Sequence, residues 1–92
     1  MANRIAGRPW VFDTATPGVV AWPSWTKIAH FEYTGYAAQG NKAVFNDVNG
    51  QLVWQATGAA DLSDQDSFKI GWVQGLIPQQ IDGGGKVIVY IE

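Results

Sequence analysis

Apolar and polar residues alternate with a period of two along most of the chain, the pattern of half-buried β-strands. Pro9-Trp10-Val11-Phe12-Asp13 reads as a short apolar strand, closed by the turn signal Thr16-Pro17-Gly18. Val19-Val20-Ala21-Trp22 predicts a second short strand, which Pro23 stops. In residues 26–34 one face carries Lys27, Ala29, Phe31 and Tyr33, and the other carries Ile28, His30, Glu32 and Thr34. The alternation after Ala29 is apolar inward and polar outward, as in an antiparallel strand with one wetted face.

The strongest local signal lies in residues 42–57. Ala43-Val44-Phe45-Asn46 and Leu52-Val53-Trp54-Gln55 flank Asp47-Val48-Asn49-Gly50, and Asn-Gly between two β-prone runs marks a hairpin. Two registers compete. A two-residue Asn49-Gly50 loop opposes Phe45 to Trp54, whereas a type I turn from Asp47 with a bulge at Gly50 opposes Phe45 to Val53. Residues 58–67 are polar and acidic and read as an exposed connection. Phe68, Ile70 and Trp72 then alternate with Lys69, Gly71 and Val73 in a further strand, and Gly75-Leu76-Ile77-Pro78 ends it or starts the next short piece. Asp82-Gly83-Gly84-Gly85 is a turn. Residues 86–91 are apolar on both faces, so that strand belongs at the centre of a sheet or under cover. Six to eight short strands, with turns about every ten residues, predict an all-β antiparallel sandwich or small barrel. Residues 9–92 form the single β domain and residues 1–8 an N-terminal arm.

Composition agrees. Val, Ile and Thr number 21 and aromatics 12, against 12 residues of Leu, Met, Glu, Lys and Arg together. At 92 residues the chain is one domain, since cores divide only beyond roughly 250 residues. The absence of cysteine excludes a disulfide framework, a Cys-based zinc site and a thiol nucleophile. A net charge of −2 argues against an electrostatic nucleic-acid binder. No apolar stretch opens the chain as in a signal peptide, and the longest, residues 87–91, falls short of the ~20 residues that span a membrane. A soluble protein made in the cytoplasm is expected. With 47% hydrophobic residues, 15% charged and five tryptophans, the question is how the apolar surplus divides between core and interface.

Catalytic chemistry has little to stand on. His30 is the only histidine, and Ser24, Ser63 and Ser67 lack a Gly-x-Ser-x-Gly context, so a small hydrolase using His30 with Glu32 ranks last. A chain this short is expected to lack room for a cleft of ~300 Å³. Asp61, Asp64 and Asp66 look calcium-like but lack the glycine and glutamate of a helix-flanked loop, and read as a solvated acidic loop. Gly83-Gly84-Gly85-Lys86 leads into a strand and is not a phosphate loop. The expectation is no enzyme, no metal and no cofactor. Trp10, Trp54 and Trp72 sit in strands and are assigned to the core. Trp22 and Trp25 flank a proline corner and Tyr36 ends a strand; these three are assigned to a partner surface, or to a sugar-stacking platform.

Several segments together resemble a group of small proteins encoded among the virion genes of tailed bacteriophages. They are Lys27-Ile28-Ala29-His30-Phe31, the hairpin Phe45-x-Asp47-x-Asn49-Gly50-x-x-x-Trp54, Trp72-x-x-Gly75-Leu76-x-x-Pro78 with its glycine turn, and Val89-Tyr90-Ile91. The opening Trp10-Val11-Phe12-Asp13-Thr14 also resembles their start, while the acidic run in residues 57–67 departs from them. The resemblance implies a non-enzymatic virion component, foremost a capsid decoration (cement) protein that bridges shell subunits. Its expected partners are the major capsid protein or other virion subunits, with homo-oligomers such as a trimer, and neither nucleic acid nor membrane. The expected interface comprises Asn3, Arg4, Ile5 and Arg8 of the arm with Trp22, Trp25 and Tyr36. The alternative is a carbohydrate-binding β-sandwich module that recognises host glycans.

Overall fold

Runs of β-branched and aromatic residues, punctuated by Gly, Pro, Asn and Asp, become six strands among the described residues. The computed structural model describes Asn3 and residues 9–92, with residues 67–69 as backbone only. The strands are β1 (Trp10–Phe12), β2 (Trp22–Thr34), β3 (Lys42–Asn46), β4 (Leu52–Thr57), β5 (Gln65–Ile81) and β6 (Lys86–Ile91). They pair antiparallel in the order β1-β6-β2-β5-β3-β4. The apolar-on-both-faces strand β6 lies between β1 and β2, where that pattern places it.

The ribbon folds over rather than closing into a barrel. β5 pairs with β2 from Gln65 to Leu76 and with β3 from Ile77 to Ile81, so one strand serves both layers. Phe31 of β2 stacks on Trp54 of β4, three places away in the sheet, with ring centroids 4.7 Å apart at 6°. Phe12 of β1 meets Phe45 of β3 edge-on at 5.1 Å and 78°. These contacts across the fold make it a two-layer sandwich, with β1 and β4 outermost among the described strands. Each such pair contributes about 0.5–1.5 kcal/mol beyond the area it buries. Phe12, Ile28, Phe31, Phe45, Val87 and Val89 have no exposed surface.

Three of the predicted strand boundaries are overturned, the first because β5 begins at Gln65, inside the stretch expected to be an exposed connection as far as Ser67. The short strand expected over residues 19–22 does not form: Val19, Val20 and Ala21 lie outside the strands, and β2 begins at Trp22 and runs through Pro23 for 13 residues, because an extra residue between Trp22 and Trp25 removes the need for a ladder N–H that proline lacks. Likewise Gly75 to Pro78 neither ends nor begins a strand. β5 runs through it for 17 residues, bulging against β3 so that Pro78 faces Phe45.

Two further irregularities change which side chains face inward. In β2 an extra residue lies between Ile28 and His30 relative to β6, so Thr26 and Ile28 are buried and then Phe31 and Tyr33. The predicted faces therefore hold only from Phe31 onward; Ile28 is core and Lys27 is exposed, 3.5 Å from Glu92. In β5 an extra residue lies between Phe68 and Gly71 relative to β2, and Trp72 ends on the outer face opposite Lys27. A single-residue slip exchanges the two faces of a strand, because the side-chain period is two.

Candidate binding groove

The hairpin that forms one wall combines both competing registers. Gly50 N–H donates to the Asp47 carbonyl at 3.0 Å, Asp47 N–H donates to the Gln51 carbonyl at 2.9 Å, and Gly50 has φ +80°. This is a type I turn with a glycine bulge. It opposes Asn46 to Leu52, after which Val53 is an extra residue and Phe45 faces Trp54. The turn wanted by Asp47 and the aromatic pair wanted by the core are both satisfied by a second bulge. The Asp47 Oδ1 accepts the N–H groups of Asn49 at 2.9 Å and Gln51 at 3.0 Å, which stiffens the loop.

The loop is then held against β5. Val48 N–H donates to the Gln74 carbonyl at 3.0 Å, and the Asn49 Nδ2 donates a long bond of 3.4 Å to Gln74 Oε1. Gly75, at φ +76°, permits this approach: a Cβ there would run into the Val48 side chain and lie 2.7 Å from the Trp22 carbonyl oxygen. Between the hairpin and the outer face of β2 and β5 lies a solvent-open groove of about 400 Å³, flanked by Trp25, Leu52 and Trp72. That is more room than chain length suggested. Trp25 is 61% exposed and Trp72 63%, while Leu52 is 57% exposed. Asp47, Asn49, Gln51 and Gln74 supply the polar lining.

The predicted partner residues do not come together. Trp25 is on the groove as an exposed side chain. Trp22 is half-buried, its ring 4.9 Å from that of Trp10, and its buried indole Nε1 has no hydrogen-bond partner among the described residues. Tyr36, assigned to a surface, is buried: its ring stacks on Tyr33 at 4.8 Å, its hydroxyl donates to the Ser63 carbonyl, and it accepts the Ala59 N–H at 2.9 Å. It pins the acidic connection instead of meeting a partner. Asn3 is occupied within its own chain, accepting the N–H groups of Asp13 and Thr14 and donating to the Thr14 carbonyl, each at 2.9 Å. Arg4, Ile5 and Arg8 lie outside the described residues. Trp72, assigned to the core, is the groove residue that the alternation misplaced. Gly71 before it and Gly75 after it are the signal that could have revealed the slip, since glycine within a strand marks bulges and close approaches.

His30 lies elsewhere on the outer surface, stacked on Tyr90 at 4.1 Å and 15°. The Tyr90 hydroxyl donates to Glu32 Oε1 at 3.2 Å, and the Thr34 hydroxyl to Asp64 Oδ1 at 2.6 Å. Burial, and then the Asp64 carboxyl hydrogen-bonded to it, hold the Glu32 carboxyl above the usual glutamate range. No group of three or more His, Asp or Glu among the described residues is placed to hold a metal ion.

Fold and site together define an all-β sandwich with an aromatic groove along one face. The chain matches no protein-family model, no curated protein and no solved structure.

Proposed function

We propose that the chain is a non-enzymatic structural protein of a tailed-bacteriophage virion, a decoration protein that attaches to the shell formed by the major capsid protein. The resemblance in the hairpin, in the Trp72 to Pro78 segment and in the terminal strand supports the virion assignment. The observation that carries the attachment reading is an exposed apolar pair, Val19 at 58% and Val20 at 41%, on the connection between β1 and β2. That connection is tied to the body by Thr16 N–H to the Pro78 carbonyl and Ala21 N–H to the Leu76 carbonyl, each 2.9 Å. Asn3, one of the residues expected to meet the shell, grips the start of the same connection through Asp13 and Thr14. A rigid apolar projection of this kind adds stability by burial at a subunit joint, repeated over every copy.

Co-sedimentation with purified shells of the encoding phage tests this. Wild-type protein pellets with the shells, and a Val19→Asp/Val20→Asp variant stays in the supernatant while keeping its circular dichroism spectrum. Wild-type protein that fails to pellet, or a variant that pellets equally well, overturns the proposal.

A further inference from the structure

We propose that the groove between Trp25 and Trp72 is a binding site for a neutral oligosaccharide. The inference stands on the groove alone and is independent of where the protein attaches. Trp25 pairs with Gln74 and Lys27 with Trp72, so the two tryptophans are diagonal neighbours on one face of adjacent strands, ~7–8 Å apart. Both indoles therefore serve one ligand. Each is more than 60% exposed, although tryptophan is normally among the most buried side chains on average. Indole faces in water suit a ligand with flat C–H surfaces, and a pyranose ring has them.

The rest of the lining selects against a purely apolar partner. Asn49, Gln51 and Gln74 present amides beside the indoles, and amides both donate and accept, as sugar hydroxyls require. The Asn49–Gln74 bond uses one donor and one acceptor. The Asn49 Oδ1 and the Gln74 Nε2 have no other hydrogen bond among the described residues. They are left as an acceptor and a donor on one edge of the groove. Aromatic floor with polar edge is the division expected of a site that orients its ligand by few, fixed polar groups. At about 400 Å³ the groove falls in the range of small-molecule sites, ~300–1,000 Å³.

Charge narrows the class. Among the described residues Asp47 is the one ionisable group in the lining, and Lys27, exposed opposite Trp72 on the same face, lies 3.5 Å from the Glu92 carboxylate that offsets its charge. Uronic or sialic acids would meet repulsion there, and neutral hexose or N-acetylhexosamine chains would not. The wall is also preformed. Asp47 holds the loop amides, Val48 bonds to β5, and Gly75 allows the close approach, so little ordering is lost on binding.

The test titrates the full chain with neutral gluco-, galacto-, manno- and N-acetylglucosamine hexamers, and with an oligogalacturonate as the acidic comparison. Tryptophan fluorescence and indole N–H signals in two-dimensional NMR are the readouts. At least one neutral hexamer shifts the Trp25 and Trp72 indole signals and leaves that of Trp54 in place. Trp25→Ala and Trp72→Ala each weaken that binding about tenfold or more. Asn49→Ala with Gln74→Ala also weakens it, which separates sugar recognition from an apolar protein contact. Unchanged melting temperatures in these variants show that binding, not folding, was altered. Absence of any indole shift with all four neutral hexamers at millimolar concentration overturns the proposal. So does binding that survives in the double tryptophan variant, or that is confined to the oligogalacturonate. Neither result bears on shell attachment through Val19 and Val20, so the two proposals fail separately.

Discussion

Gly75 is where the backbone does most to shape the groove, and Gly75→Ala is the sharpest perturbation available. Two costs combine. An L-residue held near φ +76° is destabilised by about 1–2 kcal/mol. The added Cβ also lies 2.7 Å from the Trp22 carbonyl oxygen and meets the Val48 side chain. Val48 can rotate, but the carbonyl belongs to β2 and cannot move without disturbing the pairing of Trp22 with Leu76. Overpacking of this kind costs about 1–3 kcal/mol, for a total of about 2–5 kcal/mol. Gly84→Ala provides the control, since φ there is +68° and nothing lies within 4 Å of the new Cβ. It carries only the backbone cost, and the unfolded-state gain of ~0.4–1 kcal/mol is common to both and cancels. The difference between the two variants is therefore the packing cost alone. Urea denaturation followed by tryptophan fluorescence measures it directly. A thermal melt should separate the two midpoints by at least about 4 °C, since each kcal/mol shifts a domain of this size by ~4–8 °C. If Gly75→Ala is no less stable than Gly84→Ala, the close approach of hairpin and β5 is wrong, and with it the preformed wall of the groove.

Other substitutions probe the rest of the fold. Trp54→Ala removes a 6%-exposed ring stacked on Phe31 and should cost about 3–5 kcal/mol in urea denaturation, whereas Trp25→Ala should stay within ~0.5 kcal/mol; similar costs for the two would refute the division of tryptophans between core and surface. Tyr36→Phe leaves the Ala59 N–H without its acceptor and should cost about 1–3 kcal/mol, with faster hydrogen exchange at Ala59. A neutral result would mean the acidic connection is held by other contacts. Glu32 binds its proton more tightly folded than unfolded, so its contribution is complete below the ordinary value of 4.5 and is lost as pH rises through the higher folded value. Glu32→Gln should remove that component of the pH–stability curve and gain relative stability at pH 7; parallel curves for variant and wild type would exclude Glu32 as its source.

The legibility of this chain divides by the range of the forces involved. Turn chemistry is local, so the Asn49-Gly50 hairpin, the glycine turn before β6 and the central place of β6 could all be read from neighbouring residues. The aromatic surplus was equally plain, as was the core role of Trp10 and Trp54. The division of the remaining tryptophans was not. Alternation assigns a face only while the register is unbroken, and β2 and β5 each carry bulges that restart the count. Trp72 moved from core to surface for that reason. Tyr36 moved the other way because its hydroxyl finds partners in residues 59 and 63, more than twenty positions along the chain.

By itself, then, the amino-acid sequence determined an all-β antiparallel chain, its hairpin and most of its core, because propensity, turn geometry and two-residue periodicity are properties of short stretches. Only the tertiary structure decided that Trp25 and Trp72 share one groove. Their meeting depends on β5 pairing with β2 across a bulge and on the hairpin loop seating at Gly75, contacts between segments some 25 to 50 residues apart, whose register no local pattern encodes.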